Sequence, residues 1–276
     1  MSFMSPGSVV WFEIGTADPQ AVQDFYGPLL GWTFETDPAS SAHGRAYIRI
    51  MAPGAPWPMG AIQQDVCGGE VVNLSVMSAD VRDDVERLER LGAKVVVPAT
   101  TVGEVTVFAR LLDPRDNTFA VFSRTTSKDL AERAVATEEH IAQTVQGPAP
   151  GGFAWFEIGT NDPQATKEFY GRAFGWRFEK DDSAGGKPYF NVFTGNDWPS
   201  GGMYDHSGPG VGGDYAMPSF VVADIPATVA RAAMAGAAIE HGPDANPDGL
   251  VFARLVDPRG NRFGLFSMPA EPPAAV

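Results

Sequence analysis

The chain has 276 residues, with 34 acidic against 20 basic side chains and a formal net charge of −14. An excess of that size repels nucleic acid and anionic lipid, so neither is expected as a partner. The lone Cys67 excludes an intrachain disulfide, no run is apolar enough to span a bilayer, and no basic, apolar leader opens the chain, so a soluble cytoplasmic protein is expected.

Val9 to Thr16 is a short β-rich run. Asp18-Pro19 then starts a helix, because the Asp carboxylate accepts orphan N–H groups and Pro has none to orphan. Ala21, Phe25 and Tyr26 give it an apolar stripe, and Gly31 stops it. Extended runs follow at Trp32–Thr36, Ala46–Met51 and Gly60–Gln64. The pattern then restarts: a strand at Val71–Met77, an N-cap at Asp80, a helix with Val81, Val85, Leu88 and Leu91 on one face, and strands at 94–97, 105–112 and 118–123. Residues 127–146 read as a linking helix with Ser127 as N-cap, and 147–152 as a Pro/Gly linker.

Beyond the linker the chain repeats itself. Trp11-Phe12-Glu13-Ile14-Gly15-Thr16 returns as Trp155 to Thr160, and 17 of 25 residues match between 11–35 and 155–179. Phe108-Ala109-Arg110-Leu111-Leu112-Asp113-Pro114-Arg115 returns at Phe252 to Arg259, also 144 residues later. Equal offsets at the start and end of a unit mean a duplicated domain. The expected fold is α+β: two tandem domains at 8–124 and 153–268, each a pair of βαβββ modules curled around a pocket, joined by 125–152 and ending in a disordered tail at 269–276.

The order Asp-Pro-x-x-x-x-x-Phe-Tyr-Gly…Gly-Trp early and Asp-Pro-Arg-x-Asn-x-Phe late, present in both copies, resembles the vicinal oxygen chelate superfamily. That superfamily includes glyoxalase I, extradiol dioxygenases and the bleomycin and fosfomycin resistance proteins, and the style is that of its tandem glyoxalase-like branch. The resemblance implies a divalent metal held by His, Gln or Glu on the first, fourth, fifth and eighth strands. The matching positions are Trp11 and Trp155, then near Gln64 and Asp205, then Asn73 and Met217, then Ala120 and Gly264. Trp, Met, Ala and Gly do not replace oxygen and nitrogen donors, so no family-type metal and no cofactor are expected. His43, His140, His206 and His241 fall on none of these positions and do not recur between copies.

Glu13 and Glu157 lie two residues past Trp11 and Trp155, on the same strand face. Each could act as a general base, or be a structural carboxylate paired to Arg110 or Arg254. The duplicated aromatics Tyr47/Tyr189 and Trp57/Trp198 could stack a planar ligand or cover a cation, whereas Trp32 and Trp176 read as core. The Asp-Pro-Arg segments read as strand-joining turns supported by Asn117 and Asn261. The Gly-rich stretch at 208–213 lacks the Lys and the strand-to-helix context of a phosphate loop.

The expected function is metal-free binding of a small aromatic or cationic molecule, with Trp11, Tyr47, Trp57, Asn73, Arg110, Trp155, Tyr189, Trp198, Met217 and Arg254 as ligand-binding residues. The alternative is a lyase, dioxygenase or hydroxylase with a non-standard metal site or with Glu13 and Glu157 as bases, and a third reading is a scaffold with vestigial pockets. The duplication predicts an intrachain pseudo-dimer and leaves homodimerisation open.

Overall fold

The computed structural model describes residues 5–38, 41, 45–65, 69–102, 106–124, 149–207 and 213–267. The expected linking helix at 127–146, the tail, Cys67, His43 and His140 lie outside these residues, as does most of the Gly-rich stretch.

The first half runs β1 (Val9–Thr16), α1 (Pro19–Leu30), β2 (Thr33–Thr36), β3 (Tyr47–Met51), β4 (Gly60–Gln64), β5 (Val71–Met77), α2 (Val81–Arg90), β6 (Lys94–Val102), β7 (Thr106–Leu112) and β8 (Thr118–Arg124). The second half repeats it as β9 (Phe153–Thr160), α3 (Pro163–Phe174), β10 (Arg177–Lys180), β11 (Tyr189–Phe193), β12 (Gly201–Asp205), β13 (Tyr215–Val221), α4 (Ile225–Met234), β14 (Ala238–Ala245), β15 (Val251–Val256) and β16 (Arg262–Ser267). Each half forms one eight-stranded sheet, in the orders β2-β3-β4-β1-β5-β8-β7-β6 and β10-β11-β12-β9-β13-β16-β15-β14. The two βαβββ modules of a sheet meet along the antiparallel pairs β1–β5 and β9–β13. This is the expected α+β arrangement of two tandem domains, each a pair of βαβββ modules.

Local chemistry sets the helix ends. Asp18 accepts from Ala21 N at 3.1 Å and Asp162 from Ala165 N at 3.0 Å. Gly31 and Gly175 close α1 and α3 with φ of 72° and 71°, a left-handed conformation that favours glycine.

Strand alternation then divides the sheet. Phe12, Ile14, Ile48, Ile62 and Leu74 enter the core with α1 and α2, and Trp11 and Glu13 take the opposite, inner face. One core runs through both halves. Phe12 meets Phe153 and Phe220 across the boundary, each at 5.3 Å between ring centroids. Tyr26 stacks on Trp32 at 4.9 Å, and Tyr170 on Trp176 at 4.8 Å, so both Trp residues are core as expected.

Three strands carry a proline, and β6 runs past its expected end at 97. β6 and β14 continue past Pro98 and Pro243 because they are edge strands, where a missing N–H costs no ladder bond and bulges absorb the irregularity. β13 starts at Tyr215, and its parallel pairing with β16 begins only after Pro218.

Candidate functional site

Five strands contribute side chains to the inner face of the first half. β1 supplies Trp11 and Glu13, β3 Tyr47, β4 Gln63, β5 Asn73 and β7 Arg110. In register, Glu13 lies opposite Asn73 on one side and Ala61 on the other. The Tyr47 hydroxyl donates to Glu13 Oε1 at 2.8 Å, and Arg110 Nη2 approaches Glu13 Oε2 at 3.4 Å and Gln63 Oε1 at 2.6 Å. With its carboxamide oxygen facing the guanidinium, Asn73 accepts from Arg110 Nε at 2.9 Å and Nη2 at 3.2 Å. Trp11 lies against the Tyr47 hydroxyl. Burial, then the Glu13 charge, pushes that hydroxyl well above its usual pKa, so it stays a neutral donor.

The second half repeats the scheme with different partners. Arg254 Nη1 lies 3.2 Å from Glu157 Oε1 and also donates to the Tyr215 hydroxyl. Tyr215 in turn donates to Glu157 Oε1 at 2.7 Å, and Trp155 Nε1 to the Tyr189 hydroxyl at 3.1 Å. Burial, reinforced by the Glu157 charge, raises the pKa of both tyrosines. Gly159 has no side chain because Tyr215 lies across it: a Cβ there would overlap the ring. The Tyr204 ring covers Arg254 with 4.8 Å between Cζ and centroid.

The structure thus gathers Trp11, Glu13, Tyr47, Asn73 and Arg110 into one network, and Trp155, Glu157, Tyr189 and Arg254 into another. Both carboxylates have the arginine partner that the sequence nominates. Met217 faces Glu157 in register and is buried in the floor. Trp57 and Trp198 stand half exposed, at 51% and 45%, on the β3–β4 and β11–β12 loops.

The sequence does not single out Gln63, Tyr204 and Tyr215, and it brings in His206 only as a metal ligand to set aside. Alternation on the fourth strand is the signal for the first two. Gln63 and Tyr204 pair with Gly15 and Gly159, whereas Gln64 and Asp205 bond locally, to Ala46 N and to Ser207. The Asp-Pro-Arg segments are turns, as expected, and also clamps. Asp113 Oδ1 accepts from Arg115 N at 2.8 Å and Asn117 N at 2.9 Å, while the Arg115 side chain reaches Asp214 at 2.8 Å in the other half. Arg259 does the same to Glu70 at 2.5 Å and Thr16 at 3.0 Å.

Neither the mapped positions, where Trp11, Trp155, Met217, Ala120 and Gly264 offer no oxygen or nitrogen donor suited to a divalent metal, nor the oxygen donors beside them fit such an ion. The oxygen donors of the first face, from Glu13, Asn73 and Gln63, all converge on the Arg110 guanidinium, a fixed cation in the middle of the donor set. Glu157 is likewise taken by Arg254, with the Met217 thioether opposite it in register.

A model described as a glyoxalase-like domain matches residues 10–122, and the glyoxalase/bleomycin resistance protein/dioxygenase superfamily model matches residues 152–265. The chain is 27% identical over 270 residues to "Putative glyoxylase CFP32" of Mycobacterium tuberculosis, covering 94% of each chain. It is 29% identical over 295 residues to the anthracycline biosynthesis protein DnrV of Streptomyces peucetius, covering 100% of this chain and 98% of that one. Among solved structures, the fold is similar to the Mn(II)-bound glyoxalase from Novosphingobium aromaticivorans, with a TM-score of 0.58, 15% identity, and 95% and 82% of the two chains covered. It is equally similar to the 2,3-dioxygenase LapB from Pseudomonas sp. KL28, again with a TM-score of 0.58 and 15% identity, over 99% and 96%.

Proposed function

The chain belongs to the glyoxalase/bleomycin resistance protein/dioxygenase superfamily, and we propose that it binds a small planar aromatic molecule on an inner sheet face without a metal. One observation carries the reading: an arginine, Arg110 or Arg254, sits among the oxygen donors, walled by Trp and Tyr side chains. A guanidinium framed by aromatic rings recognises flat organic molecules by stacking and by hydrogen bonding. The relative named for anthracycline biosynthesis supports this ligand class, since an anthracycline is a fused-ring aromatic.

A second reading is acid/base catalysis by Glu13 or Glu157, favoured by their side-chain exposures of 13% and 11%, which leave each carboxylate within reach of a bound molecule. Chelator-treated protein titrated with anthraquinone-2-carboxylate and with 9-aminoacridine, followed by tryptophan fluorescence, tests the binding reading. Saturable quenching by at least one probe is expected, and its absence for both would overturn the proposal.

A further inference from the structure

The two inner faces differ in what they leave unsatisfied. In the first half, Arg110 Nε donates to Asn73 and Nη2 to Gln63. In the second half Met217 stands in place of Asn73, and Arg254 Nε is buried with no acceptor. His206, in the place of Asp65, is 5% exposed, and among the described residues neither of its ring nitrogens has a hydrogen-bond partner. Buried polar groups are normally paired, so an unpaired cluster calls for a functional explanation.

The orphaned groups border the same two rings. His206 stacks on Tyr215 at 5.9 Å and 12°, and on Tyr204 at 6.3 Å and 24°. Arg254 Cζ lies 4.8 Å from the Tyr204 centroid and 5.8 Å from that of Tyr215. Tyr215 is fixed by Glu157 and Arg254, and the Arg262 guanidinium lies 5.1 Å from its centroid. Among the described residues the Tyr204 side chain stacks on His206 and covers Arg254, whose charge it also feels, and no side-chain hydrogen bond ties down its hydroxyl. It is therefore the ring that an incoming aromatic can displace at little cost, because the newcomer stacks on the same arginine and imidazole.

We infer that the second half alone carries the ligand site, and that its ligand is a planar aromatic bearing a carbonyl, phenolate or carboxylate oxygen that replaces the Tyr204 ring and accepts from Arg254 Nε and His206. This inference rests on the small-molecule reading above and narrows it to one face and one ligand chemistry. Among the described residues the first face has no equivalent unpaired cluster: Gln63 and Val71 occupy the places of Tyr204 and Tyr215, and Arg110 Nε is already bonded.

The test is equilibrium titration of the full chain with anthraquinone-2-carboxylate and with 9-aminoacridine, a planar cation that offers no such oxygen. One equivalent of the carboxylate per chain is expected. His206→Phe keeps the ring stack but loses the donors, and should weaken binding by about tenfold or more while the melting temperature holds or rises. Arg254→Lys keeps the charge, loses Nε and should weaken binding similarly. Circular dichroism checks that each variant folds, and either variant alone decides the point. Two equivalents per chain, or wild-type affinity in the folded variants, overturns this inference and leaves the broader reading standing. No saturable binding of either probe by the wild type overturns both.

Discussion

The Tyr26 hydroxyl crosses between the two halves of the chain to donate to Asp257 Oδ2 at 3.1 Å, and Tyr170 returns the contact to Asp113 Oδ2 at 2.8 Å. Each tyrosine comes from the first helix of one half, and each aspartate opens the Asp-Pro-Arg turn of the other. Beside them Trp32 Nε1 donates to Gly151 O at 2.7 Å, and Trp176 Nε1 to Gly7 O at 2.8 Å. Together with the Arg115 and Arg259 clamps, this pseudo-twofold set makes the chain an intrachain pseudo-dimer with shared packing.

Removing either hydroxyl leaves a buried carboxylate short of a donor. Tyr26→Phe and Tyr170→Phe should each cost about 1–3 kcal/mol in urea unfolding. Because one core joins both halves, the wild type should unfold in a single transition. A first half that melts separately from the second would contradict the shared packing.

Acid should weaken the inter-half clamps. Burial works against the charges of Glu70 and Asp214, but hydrogen bonds from Arg259 and Thr16, and from Arg115, Asn161 and Thr160, outweigh it and hold both carboxyls below their ordinary values. A depressed folded pKa contributes stability that is present above the unfolded value, about pH 4, and is lost as pH falls through the folded one. Stability measured from pH 6 down to pH 2 should therefore fall, and Glu70→Gln with Asp214→Asn should flatten part of that slope. An unchanged slope would contradict the clamp.

Tyr26, Tyr47, Tyr170, Tyr189 and Tyr215 are all held above the ordinary tyrosine pKa, first by burial and then by a neighbouring carboxylate. Absorbance at the tyrosinate band should show these five silent as the pH passes about 10, then ionising together on unfolding. Their stabilising contribution is complete below the unfolded value and is lost as pH rises towards the folded ones. Early, stepwise ionisation of more than one tyrosine would contradict the buried networks.

Arg110 pairs with Glu13 and orients the Gln63 and Asn73 carboxamides, so Arg110→Leu should cost about 3–5 kcal/mol by taking away the buried cation that the Glu13 carboxylate faces. The double variant with Glu13→Leu should recover much of that loss, and a double-variant cycle measures the coupling. Strict additivity would mean that the ion pair does little.

Much of this was legible in the sequence. The equal spacing of the two duplicated blocks gave the tandem fold, Asp-Pro and Gly marked the ends of α1 and α3, and the two-residue step from Trp11 to Glu13 placed both on one face. The arginine partners followed from matched positions in the two copies. Tyr215 and His206 were not legible. The segments between β2 and β3 and between β3 and β4 differ in length from their counterparts in the second half, so the 144-residue correspondence fails at His206; Tyr215 keeps it but matches the aliphatic Val71, and only strand register shows what each residue faces. Tyr26 and Tyr170 looked like ordinary members of an apolar helix stripe, since their hydroxyl partners lie in the opposite half of the chain.

The central claim is that aromatic binding here needs no metal. Calorimetric titration of anthraquinone-2-carboxylate into chelator-dialysed protein, and into the same protein loaded with Mn(II) or Fe(II), tests it directly. The account predicts the same saturable binding in both preparations. Binding that appears only after loading, with a near-stoichiometric ion retained through dialysis, would contradict it.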